Sequence, residues 1–95
     1  MTLRTLLKKK KEIIELAGKY GATNVRVFGS VARKAASRHS DVDLLVDFEA
    51  PHSLLDRAGL KADLEALLGC QVDVATEKVL RMEIKDRILR EAVAL

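Results

Sequence analysis

The stretch "VFGSVARKAASRHSDVDLLV", residues 27–46, joins two strand-like segments through a Gly-Ser pair and a ten-residue spacer. Upstream, "NVRVF" at residues 24–28 is β-branched and alternating and stops at Gly29, which predicts a strand leading into a turn. Downstream, "DVDLLVDF" at residues 41–48 puts Val42, Leu44, Val46 and Phe48 on one face and Asp41, Asp43, Leu45 and Asp47 on the other. This is the pattern of a half-buried strand. Between the two, "SVARKAA" at residues 30–36 supplies enough residues for two helical turns.

Working outward, Leu3, Leu6, Leu7, Ile13, Ile14, Ala17 and Tyr20 recur at three- and four-residue steps. They predict an amphipathic helix over about residues 3–20, ended by Gly21 in the left-handed conformation. After Pro51 breaks the chain, Ser53 with Asp56 three residues on forms a capping-box start. The helix it opens runs through Leu54, Leu55, Ala58, Leu64, Leu67 and Leu68 to Gly69. "CQVDVAT" at residues 70–76 reads as a third strand with Asp73 opposite Val72 and Val74. A last helix over about residues 79–93 carries Leu80, Ile84, Ile88 and Ala92 at four-residue spacing. The order αβαβαβα predicts an α/β fold, and the long helix between the second and third strands suits a right-handed parallel connection.

At 95 residues the chain is expected to form one domain over residues 1–95, and so small a unit builds a thin core. Apolar residues make up 48% of it and aromatics only 3%, so that core must come from Leu, Val, Ile and Ala. No apolar run approaches the roughly 18 to 20 residues that span a bilayer, and the first residues given lack the continuous apolar stretch of a secretory signal. The expectation is a cytoplasmic protein with no membrane partner. Cys70 alone cannot form an internal disulfide, and no Cys/His cluster has zinc-ligand spacing. The net charge of +3 includes the run Lys8-Lys9-Lys10-Lys11, which without interleaved aromatics reads as a solvated helix face rather than a direct nucleic-acid contact.

The chemistry gathers on three aspartates. Residues two apart on a strand project from the same face roughly 6.5 to 7 Å apart, so Asp41 and Asp43 converge. Two such carboxylates raise each other's pKa unless a cation neutralises them. Magnesium suits the task, because it binds through one or two carboxylates plus substrate phosphates. Asp73 could bring a third carboxylate to the same place if its strand is a neighbour. Gly29 and Ser30 lie where a strand meets a helix, so backbone N–H groups there can face an anion and the serine hydroxyl adds a donor. Together these features suggest a triphosphate site, with a cradle for the outer phosphates on one side and metal-bridged carboxylates on the other. Asp47 shares the aspartate face but lies about 13 Å from Asp43 along the strand, and reads as surface. Arg33 is suited equally to a phosphate, a partner or solvent, and His39 and His52 read as solvated loop residues.

The Gly-Ser pair, the ten-residue spacing, Asp41-Val42-Asp43 and the later Asp73 in "QVDVAT" together resemble the signature of the DNA-polymerase-β-type nucleotidyltransferase superfamily. The similarity is greatest to its minimal nucleotidyltransferases and extends through "SLLDRAGLKADLEALLGCQVDVAT" to the ending "ILREAVAL". It implies the nucleotidyltransferase fold, a small mixed β-sheet flanked by helices. It also implies nucleotide phosphates at Gly29 and Ser30, and Mg2+ on Asp41, Asp43 and Asp73 as the catalytic, metal-binding carboxylates. Lys34 departs from the glycine often found at that place in the family.

Family members of this size commonly serve as antitoxins of HEPN-type toxins. The resemblance therefore implies an enzyme that transfers AMP from ATP to a hydroxyl, a tyrosine in particular, of a HEPN partner, in a homo- or hetero-oligomer. The alternative is a non-catalytic antitoxin that neutralises the toxin by binding and occlusion. Retention of all three aspartates favours the enzyme. Transfer to an antibiotic or other small molecule is disfavoured, since 95 residues leave little room for a dedicated acceptor domain.

Overall fold

The computed structural model describes residues 2–33, 41–49 and 52–95. Its elements are α1 (Leu3–Lys8), α2 (Lys10–Lys19), β1 (Ala22–Phe28), α3 (Gly29–Ala32), β2 (Val42–Phe48), α4 (Leu54–Leu68) and β3 (Val72–Ala75). A 3₁₀ turn (Glu77–Val79), α5 (Met82–Glu91) and β4 (Val93–Ala94) follow. The four strands form one mixed sheet in the order β3-β2-β1-β4. β2 and β3 are parallel and joined through α4, whereas β1 runs antiparallel to both β2 and β4.

One face of the sheet carries Val25, Val27, Val42, Leu44, Val46, Val72 and Val74 into the main core. The helices cover it with Leu6, Ile13, Ala17, Leu60, Leu64 and Leu68, all buried. The aliphatic core anticipated from composition is therefore the one formed. Tyr20 packs on Gly59 of α4, where a Cβ would come within 2.8 Å of the tyrosine ring, and its hydroxyl donates to Asp63 at 2.6 Å. This close approach holds α2 against α4.

α4 has the predicted bounds. Ser53 accepts from the Asp56 N–H while Asp56 accepts from the Ser53 N–H, and Gly69 ends the helix at φ +70°. Gly21, at φ +78°, likewise follows the end of α2. The first helix departs from expectation by breaking at Lys9, whose backbone at φ −101° and ψ 12° leaves the helical range. There the Lys9 ammonium donates to the Leu67 carbonyl at 3.2 Å, satisfying one of the last carbonyls of α4. Lys8, Lys10 and Lys11 are exposed, as a solvated face requires.

The strands also differ at their margins. β1 begins two residues early and bulges between Thr23 and Arg26, with Asn24 at φ +50°. β3 is shorter than residues 70–76, and half-buried Cys70 precedes it. The last helix is confined to Met82–Glu91, and Val93 and Ala94 pair with β1 instead of continuing it. Leu45, expected on the polar face of β2, is fully buried, so that face is not solvent along its whole length. The predicted helix through residue 36 extends into 34–40, outside the described residues, as do Lys34 and His39. No helix among the described residues is long and apolar enough to cross a membrane.

Candidate functional site

The register of the sheet brings the candidate residues together. β1 ends at Phe28, which is paired with Asp43 on β2, and Asp43 is in turn paired with Asp73 on β3. Gly29 and Ser30, which open α3, thus leave the sheet beside Asp43. Asp41 stands one residue before β2 and is exposed. The closest pairing is therefore Asp43 with Asp73 across two parallel strands, with Asp41 at the edge of the pair.

Gly29 adopts φ +73°, a conformation open to glycine at little cost. A Cβ at that position would collide with the Asp43 Oδ2 and lie 3.2 Å from its Cγ. Glycine is needed here to admit the carboxylate as well as to turn the chain. The sequence accounts for Gly29 through an anion's approach; the contact with Asp43 depends on the register between β1 and β2.

Burial pushes the Asp43 carboxyl above its usual range, and the charges of Asp73 and Asp41 and a hydrogen bond with Asp73 push the same way. Arg33 opposes the shift. That arginine caps α3 and makes a 3.2 Å ion pair with Glu91 of α5. Asp73, two-thirds exposed, lies 3.8 Å from the Lys61 ammonium, which also donates to the Val72 carbonyl at 2.6 Å. Lys61 carries no signal in the sequence, because its place depends on α4 packing along the β3 edge.

The donor set fits a hard divalent cation, since it gathers oxygen ligands around Asp43, whose burial and acidic neighbours disfavour its charge. Among the described residues no three acidic, imidazole or thiol side chains already converge as a metal cage. A pair of carboxylates is the number magnesium commonly takes from protein when phosphates supply the rest. Asp47 is instead occupied by Arg26, at 3.0 Å, and by Asn24, at 2.9 Å. His52 stacks on Phe48 with ring centroids 3.7 Å apart, a contact the sequence does not announce.

The nucleotidyltransferase domain model matches residues 6–95. The chain belongs to this family. This nucleotidyltransferase is 46% identical over 79 residues to the protein adenylyltransferase MntA of Thermococcus cleftensis, covering 83% of this chain and 80% of that one. A solved structure assigned as a minimal nucleotidyltransferase superposes with a TM-score of 0.87 at 47% identity, covering 100% of this chain and 97% of the other. A chain from the complex of a tri-AMPylated Shewanella oneidensis HEPN toxin with its MNT antitoxin matches with a TM-score of 0.69, covering 93% of this chain and 69% of that one. At 17% identity that last likeness is one of fold. The nucleotidyltransferase fold that the family resemblance implies, with its mixed sheet, is the fold found.

Proposed function

We propose that this nucleotidyltransferase acts as an antitoxin that transfers AMP from ATP to a tyrosine hydroxyl of a HEPN-type toxin, with Mg2+ as cofactor. The observation that carries the reading is the register of Asp43 with Asp73 beside Gly29, which sets two carboxylates next to a strand-to-helix turn. The activity named for the Thermococcus cleftensis relative and the partner named for the Shewanella oneidensis complex support it.

In this reading Asp41, Asp43 and Asp73 would hold magnesium, which when bound would neutralise charge on the phosphates. Gly29 N–H and the Ser30 hydroxyl and N–H bind the outer phosphates. Asp73 accepts the proton as the tyrosine oxygen attacks the α-phosphorus. The bond from that phosphorus to pyrophosphate breaks, leaving a tyrosyl–AMP ester.

The test is labelling of a purified HEPN toxin from ATP carrying radiolabel at the α-phosphate. Asp41→Asn combined with Asp43→Asn should abolish magnesium-dependent labelling while the circular-dichroism spectrum stays unchanged. Undiminished labelling by that variant would overturn the assignment of the pair.

A further inference from the structure

α4 is anchored in the core through Leu60, Leu64 and Leu68, yet its first turn presents Leu54 and Leu55, each 82% exposed. Periodicity places both on the core side; the fold turns both outward. Beside them a groove of about 380 Å³ is lined by Leu54, Arg57, Ala58, Lys61, Asp73 and Val74. Its lining includes uncovered Leu54, whose chain neighbour Leu55 is equally exposed, and the carboxylate assigned to proton removal. The capping box already occupies the helix start, so the apolar end of the groove is not an anion site. Lys61 lines it beside Asp73, and Arg57, which donates to the Val74 carbonyl at 2.8 Å, has no carboxylate partner among the described residues.

We propose that this groove docks the acceptor: a segment of the protein substrate lays an apolar side chain on Leu54 and Leu55, sets an acidic group against Arg57, and delivers its hydroxyl to Asp73. The proposal rests on the transfer reading above and assigns its protein-binding surface. Three features single out this occupant. Asp73 is part of the groove, Leu54, Ala58 and Val74 make it partly apolar, and Arg57, without a carboxylate partner among the described residues, complements an acidic group. A nucleotide bound at Gly29 and Ser30 would approach from β1 and α3, leaving the β3 edge to the acceptor.

The experiment compares wild type with Leu54→Glu combined with Leu55→Glu, using a purified HEPN toxin and, separately, N-acetyltyrosinamide as acceptors with magnesium and ATP. Both leucines are exposed, so the fold is retained, and thermal melting checks this. The groove predicts at least a tenfold rise in KM for the protein acceptor, with ATP affinity and labelling of the small acceptor unchanged. Single replacements should give intermediate values. An unchanged KM for the protein, with wild type active, would overturn the groove alone. Loss of labelling with both acceptors, or of ATP affinity, in a folded variant would also overturn it as a docking surface. Failure of wild type to label the toxin would overturn the transfer reading and the groove with it.

Discussion

At Gly29 the backbone turns with φ +73° while the Asp43 carboxylate occupies the space a side chain would need. Burial, and after it the charges of Asp73 and Asp41, leave Asp43 less willing to ionise than in the unfolded chain, where a carboxyl titrates at about 4. Because its folded pKa is raised, this group withdraws stability as pH climbs from the unfolded value through the folded one. Asp43→Asn should therefore raise the metal-free melting temperature at neutral pH, and the gain should vanish below about pH 4, where aspartate is protonated in both states. Melting curves across pH check this; equal curves for the two proteins would show that the carboxylate carries no such penalty. Functional sites commonly hold stability costs of this kind.

Among the elements, β3 is an edge strand whose open side is covered by side chains rather than by another strand. Arg57 and Lys61 donate to the carbonyls of Val74 and Val72, and Glu65 accepts from the Val72 N–H at 3.1 Å. An exposed row of backbone groups invites edge-to-edge pairing, and α4 blunts it from its own surface. The Val72 N–H holds the Glu65 carboxyl below its usual range, assisted by Lys61 against the effect of burial. Stability from that contact is present above the unfolded carboxylate value and is lost as pH falls through the lowered one. Glu65→Gln should speed hydrogen exchange at Val72 at neutral pH and flatten its acid dependence. An unaltered Val72 exchange rate would remove Glu65 from the edge.

Over the whole molecule, what could be read from the sequence was what repeats locally. The Ser53–Asp56 box and Gly69 delimit α4 because caps are local chemistry, and Val42, Leu44 and Val46 alternate because one side of β2 is core. The grouping of Asp43 with Asp73 follows from alternation plus neighbouring strands. β4 escaped because two residues cannot show an alternation and the four-residue rhythm of Leu80, Ile84 and Ile88 carries past them. Leu54 and Leu55 match a core stripe in spacing although α4 buries only its later turns. Lys61, Glu65 and the β3 edge meet only through tertiary packing.

The same scale decides between transfer and occlusion. Asp73 is the discriminating residue, since a purely occluding protein has no need of a carboxylate to accept the acceptor's proton. The most direct measurement is the mass of a purified HEPN toxin after incubation with magnesium, ATP and either wild type or Asp73→Asn, followed by separation of the two proteins. The account predicts that wild type alone adds AMP units and that the toxin stays inactive once freed, while both proteins still form the complex. Equal neutralisation by the two proteins, with no added mass and toxin activity restored on separation, would contradict it.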